Sequence, residues 1–288
     1  MLKLPLVSFI VTSFNYEKYL SKTLDSIKSQ TYRNFEIIIV DDCSTDNSYL
    51  LAEKFVAENQ DLKITLVKQE KNSGQLAGMI KGLELAQGQF VSFIDSDDVL
   101  LPDYAKAHIR VHLETSVALT SCQIVEIGDE DEVHTMNSIS SPHCESLDEL
   151  FAGEDAKFKI LKHKRFGGWY WSPNSSAMFR KSAIELIKNY KNVDAWRICP
   201  DKFLFNFAHL IGGSAIIYTP LIGYRRHSGN AGDCRLVTGD KRLHSDYITK
   251  INLKNNLKIR PEMMKFLWQE RKVLGLRNTL SLLLKILV

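Results

Sequence analysis

The first 115 residues alternate short, almost wholly apolar runs with longer stretches of helical period, a pattern that few folds accommodate. Leu6–Val11, Phe35–Val40, Leu62–Val67 and Phe90–Ile94 have the length and the Val/Ile/Phe content of strands buried on both faces, as parallel strands under helices are. Between the first two, Tyr16, Tyr19, Leu20, Leu24 and Ile27 recur at three- and four-residue steps, with Asn15 placed to cap that helix. Asp46 or Ser48 begins a second helix through Leu51, Phe55 and Val56, and Leu76, Ile80 and Leu83 mark a third that Gly88 ends. The expected fold is α/β, a mostly parallel central sheet flanked by helices.

Beyond Asp98 the rhythm changes. Pro102–Leu113 reads as a helix and Ala118–Val125 as a strand, whereas 128–165 is acidic, Ser-rich and without period, an irregular excursion. A strand at Ser175–Arg180, a helix from Ser182, another near Lys202–Leu210, a strand at Ala215–Thr219 and helices beyond Asp240 follow. We expect one domain over 1–235, split near 115 into two halves, and a helical extension over 236–288.

Composition narrows the function classes. At 44% hydrophobic and 25% charged with 7 Pro, the chain excludes a collagen, a disordered tail or a disulfide knot. A net charge of +3 gives no nucleic-acid footprint. The five cysteines include no C-x-x-C pair, which argues against a zinc or disulfide framework and for a reducing, cytoplasmic setting. No apolar stretch reaches the length of a membrane span; the leucine-rich Leu280–Val288 is expected to pack on the domain or a second copy, with contact at a cytoplasmic membrane face as the alternative.

In open α/β sheets, ligands bind in the crevice outside the carboxyl ends of the strands. Here those ends carry Thr12-Ser13-Phe14-Asn15, Asp41-Asp42-Cys43-Ser44-Thr45-Asp46 and Asp95-Ser96-Asp97-Asp98. Carboxylates gathered along one edge repel each other unless a cation or ligand donors compensate them. Oxygen ligands without thiolates favour Mg²⁺ or Mn²⁺, ions that commonly bridge to substrate phosphates. A lone D-x-D more often caps a helix; its place at a strand end is what raises its weight.

These segments, with Ser29-Gln30-Thr31-Tyr32 and Asn72-Ser73-Gly74, resemble family 2 glycosyltransferases of the GT-A fold, closely over residues 5–105 and loosely over 165–230. The resemblance implies a nucleotide-diphospho-sugar donor, a UDP-sugar, held by Thr12, Phe14, Asn15, Glu17, Asp41, Asp42, Gly74, Asp95, Ser96 and Arg226. It implies a Mn²⁺ or Mg²⁺ ion at Asp95, Asp97 and Asp98, with His227 of Tyr224-Arg225-Arg226-His227 as a further ligand or diphosphate contact. Arg225 or Arg226 is placed to neutralise the leaving nucleotide. Two departures stand out: Cys43 where the family usually has Gly, which touches only turn geometry, and Met79-Ile80 where many relatives carry Arg-Asn, which shifts charge compensation onto other cations.

An inverting transfer needs a carboxylate to take the acceptor hydroxyl's proton. Asp201, about a hundred residues beyond the Asp-Ser-Asp-Asp run and just before an apolar helix, is favoured over Asp155, although a first-turn acid of that helix has the same appearance. Trp169, Tyr170 and Trp171 offer either a stacking platform for an acceptor sugar or plain core area. His108, His112, His134 and His143 show no ligand spacing. The reaction so implied moves a sugar to a hydroxyl of a glycan or lipid-linked acceptor in surface polysaccharide synthesis. Competing readings are a sugar-phosphate nucleotidyltransferase, whose Gly-rich phosphate loop is missing after the first strand, and a non-catalytic nucleotide-sugar-binding protein.

Overall fold

A computed structural model describes residues 4–135, 157–161, 166, 170–227 and 257–287. The strands β1 (Val7–Ser13), β2 (Phe35–Asp41), β3 (Ile64–Lys68) and β4 (Phe90–Asp95) lie in the order β3-β2-β1-β4, all parallel. Their near-continuous apolar content is explained for β1, β2 and β4, which are buried along almost their whole length. β3 is only half-buried because it forms the edge of the sheet.

Helices α1 (Leu20–Lys28), α2 (Ser48–Glu58), α3 (Gln75–Leu85) and α4 (Tyr104–Glu114) make the crossovers and cover both faces. On one side Ile10, Ile38 and Val40 meet Leu76, Met79 and Leu83 of α3; on the other Phe9, Val11, Ile37 and Ile39 meet Leu20, Leu24 and Ile27 of α1. α3 lies so close to β1 that a Cβ at Gly82 would overlap the Ile10 side chain. Asn15 is not the cap of α1, which begins at Leu20 with Tyr19 as its N-cap. Asn15 instead adopts a left-handed φ of 60°, and its Oδ1 accepts from the Thr45 N–H at 2.8 Å, tying the loop after β1 to the loop after β2.

The second half extends the sheet through β5 (Val99–Leu100), β6 (Leu119–Ile127), β9 (Ala177–Arg180) and β10 (Ser214–Arg225), giving β3-β2-β1-β4-β9-β6-β10-β5. β9 is antiparallel to β4 and β6, while β10 runs parallel to β6. The expected excursion over 128–165 starts and ends in sheet: β7 (Val133–Thr135) pairs with β6 and β8 (Phe158–Leu161) with β10. Its centre, with Asp155 and His143, lies outside the described residues.

After α5 (Lys181–Ile184) and α6 (Asp201–Gly212) come helical residues 257–269 and the helices Arg271–Leu274 and Leu276–Leu287. Ile259, Met263, Phe266, Leu267, Leu282 and Ile286 enter the same core as Phe203 and Phe207 of α6. Phe266 packs among Tyr190, Phe203 and Phe207 with ring centroids 5.5, 6.0 and 5.5 Å away; burying one such ring stabilises the fold by about 1.5–3 kcal/mol. Among the described residues no helix is long and apolar enough to cross a membrane.

Candidate active site

The parallel register sets Thr12 opposite Asp95 and Ser13 opposite Asp41, so three polar loops leave the sheet along one edge. They enclose a cavity of about 530 Å³. Of the residues expected to hold a donor, Thr12, Phe14, Asp42, Gly74, Asp95 and Ser96 line it, together with Asp97 and Asp201.

Both oxygens of Asp42 are committed. Oδ1 accepts from Gln69 Nε2 and the Ser73 N–H, and Oδ2 from the Gly74 N–H, each at 2.7 Å. The loop before α3 is thereby fixed at the cavity wall. Gly74 holds φ +90°, and a Cβ there would stand 2.9 Å from Arg197 Cα, so glycine is required both by conformation and by space. Asp41 lies behind this wall, its Oδ2 accepting from the Ser44 N–H at 2.9 Å.

Asp95 receives Gln75 Nε2 at 2.7 Å and Asn174 Nδ2 at 2.9 Å, both on Oδ1, leaving Oδ2 without a donor among the described residues. Burial, then the charge of Asp97, pushes its carboxyl up to about 8. Asp97 Oδ2 lies 2.9 Å from His227 Nε2, and the buried imidazole rests against the Tyr19 ring at 4.6 Å. Asp98 turns inward, Oδ1 accepting the Arg225 N–H at 3.1 Å; burial and the neighbouring aspartates raise its carboxyl well above the usual range. Among the described residues no three His, Cys, Asp or Glu side chains converge as a ready-made metal centre. Asp95 and Asp97 do face one cavity, and two neighbouring carboxylates there suit a hard cation whose other ligands are water and phosphate.

Asp201 opens α6 and borders the cavity. Burial raises its carboxyl to about 6, although the Lys202 N–H at 2.9 Å and the nearby Lys202 charge pull the other way. It is thus both a first-turn acid and a carboxyl within reach of bound ligand.

Arg197 was not singled out by sequence, yet it lines the cavity. Its carbonyl accepts the Gln75 N–H at 3.0 Å, its guanidinium donates to the Asn72 carbonyl at 3.2 Å, and Asp194 lies 3.3 Å away. The signal was a basic residue four positions before the favoured base, in a chain lacking the usual arginine at Met79-Ile80. Tyr16, read only as part of a helical stripe, also lines the cavity, its hydroxyl raised by burial and by Asp97, Asp95 and Asp98.

Other expected residues sit elsewhere. Glu17 Oε2 accepts from the Asn47 N–H at 2.9 Å and, like Asn15, is not part of the cavity lining. Arg226 is held by Glu126 and stacks over Tyr224, and Arg225 is wholly buried, so neither guanidinium lies at the cavity. Trp171 is core: 5% exposed, its Nε1 donating to Ser214 Oγ at 2.9 Å, its ring edge-on to Phe205. Tyr170 is exposed beside it, and Trp169 lies outside the described residues.

Among the described residues, Asp95, Asp97, Asp201 and Arg197 all border a single hollow. The sequence profile described as Glycosyl transferase family 2 matches residues 8–187. The Bacillus subtilis (strain 168) protein EpsH, which carries a glycosyltransferase name, is 32% identical over 226 residues, covering 77% of this chain and 61% of EpsH, so the chain spans about six-tenths of that relative. An Escherichia coli protein named UDP-Glc:alpha-D-GlcNAc-diphosphoundecaprenol beta-1,3-glucosyltransferase WfgD is 33% identical over 113 residues, 39% of this chain and 43% of that one. The crystal structure of Staphylococcus aureus TarS 1-349 with UDP-GlcNAc superposes with a TM-score of 0.57 at 16% identity, covering 91% of this chain and 80% of that one, a likeness of fold.

Proposed function

The chain belongs to glycosyl transferase family 2, and from that premise we propose that it transfers a sugar from a UDP-sugar to a hydroxyl of a glycan or lipid-linked acceptor, with inversion. The observation that carries this reading is the meeting of Asp95, Asp97 and Asp201 around one cavity at the carboxyl edge of a parallel sheet. WfgD, by its name, takes UDP-Glc and an undecaprenol-linked acceptor, and TarS binds UDP-GlcNAc. Both support the donor class, and WfgD's named acceptor supports a lipid-linked one.

Asp95 and Asp97 would hold Mn²⁺ or Mg²⁺; bound there, the ion supplies positive charge against the diphosphate that leaves. Arg197, on the cavity wall, would give that anion a second cation, a part that Met79-Ile80 of α3 cannot play. Asp42 keeps the 72–74 loop in place so that the nucleoside meets a formed wall at Thr12 and Phe14. Asp201 takes the proton of the acceptor hydroxyl as that oxygen attacks the anomeric carbon. With a carboxyl near 6, it is ionised at neutral pH and still basic enough to accept.

Purified protein is screened for thermal stabilisation by nucleotide sugars with and without Mn²⁺, and Asp201→Asn is assayed for transfer. Stabilisation by UDP-sugars that depends on Mn²⁺, with binding kept and transfer lost in the variant, is expected. Full turnover by Asp201→Asn would remove Asp201 as the base, and no response to any nucleotide sugar would end the proposal.

A further inference from the structure

The helix Leu276–Leu287 is amphipathic three ways. Thr279, Leu282 and Ile286 seat it in the core, whereas Leu276, Leu280, Leu284 and Leu287 stand 57, 48, 62 and 60% exposed. At 100° per residue these four fall within one quadrant beside the seated face, a continuous leucine row turned to solvent. Val273, just before it, is exposed as well. Residues 271–287 carry Arg271, Lys272, Arg277 and Lys285 and no Asp or Glu, in a chain whose net charge is only +3. Arg277 and Lys285 are exposed; at 100° per residue Arg277 borders the leucine row and Lys285 lies on the flank beyond it.

We infer that this row docks the protein on an anionic phospholipid surface, the leucines entering the boundary between headgroups and acyl chains and the cations beside the row, Arg277 first, meeting the headgroups. The charge makes the choice: a second copy laid on the same row would bring like cations together, while a negatively charged bilayer satisfies the apolar row and the cations at once. The inference stands apart from the transfer reading, since it uses no cavity residue.

The test is co-sedimentation of the full chain with phosphatidylcholine vesicles, with and without phosphatidylglycerol. Partition onto the anionic vesicles, weak binding to the neutral ones and release by salt are expected. Leu280→Glu with Leu284→Glu should abolish partition without lowering the melting temperature, because both side chains are exposed. Arg277→Glu with Lys285→Glu, which leaves the apolar row intact, should weaken it by about tenfold or more. Equal partition onto neutral vesicles, no partition at all, or binding unaffected by either pair of substitutions overturns the inference. So does a dimer in solution that the leucine variant dissolves while vesicles leave the protein in the supernatant.

Discussion

Arg225 Nε donates to the main-chain carbonyl of Asp97 at 2.8 Å from a wholly buried position. The same guanidinium binds the Gly128 carbonyl and the Asp131 carboxylate and lies 5.0 Å from the Tyr19 ring, so one side chain ties the acidic loop to the β6–β7 turn and to the approach to α1. Arg225→Met leaves those acceptors unpaired, and a stability loss of roughly 3–5 kcal/mol is expected in urea unfolding. Arg225→Lys recovers little of it, because one ammonium cannot meet acceptors on three sides. A loss below about 1 kcal/mol in the Met variant would show that the clasp is dispensable.

Transfer should depend on the ionisation of Asp201. With its carboxyl at about 6, kcat/KM is expected to climb with pH through that value and level off above it. Asp201→Asn should lower the rate by about 10²-fold or more. The stability sign is the reverse. A carboxyl raised in the folded state binds its proton more tightly there than in the unfolded chain, so ionising it weakens the fold as pH climbs from the ordinary carboxylate range through about 6. Melting temperatures should therefore show Asp201→Asn gaining on the parent across that interval.

Arg197→Ala is expected to weaken UDP binding by about tenfold or more, the worth of one charge-assisted contact, with an unchanged melting temperature. Titration calorimetry reads this directly. Equal affinity in parent and variant would leave the leaving diphosphate without a partner on this wall.

Trp171 and Tyr170 should separate cleanly. Trp171→Ala is expected to cost about 3–5 kcal/mol in unfolding, as the loss of a buried indole does. Tyr170→Ala should leave stability within about 0.5 kcal/mol, as at an exposed position, and acceptor KM is where any effect would appear. A raised acceptor KM in a Trp171→Phe variant that still folds would return that ring to the site.

The sheet was legible because buried parallel strands need near-continuous apolar runs, and Phe35–Val40 or Phe90–Ile94 can be little else. The acidic edge followed from it, since register alone carries Asp41 and Asp95 to one end. What pattern does not carry is the direction of a side chain. Trp171 has the same letters around it whether it faces a sugar or Phe205, and Arg225 and Arg226 are neighbours of which one is sealed inside and the other bound to Glu126. Arg197 is held at the cavity by contacts with Gln75 and Asn72, more than a hundred residues away along the chain.

Asn15, Cys43 and Cys199 share a left-handed backbone, with φ of 60°, 65° and 55°, the first two in loops that leave the sheet edge and the third at the cavity itself. Side-chain-bearing residues tolerate that shape at a cost of about 1 kcal/mol or more. The turns are therefore dictated by their surroundings and not by local preference. Glycine at 43, the family's usual choice, should leave the loop's path unaltered and relieve the tension. What the side chain at that corner adds is the Cys43 thiol's 3.7 Å reach to the Glu70 carbonyl, a link to the loop after β3 that glycine would forgo.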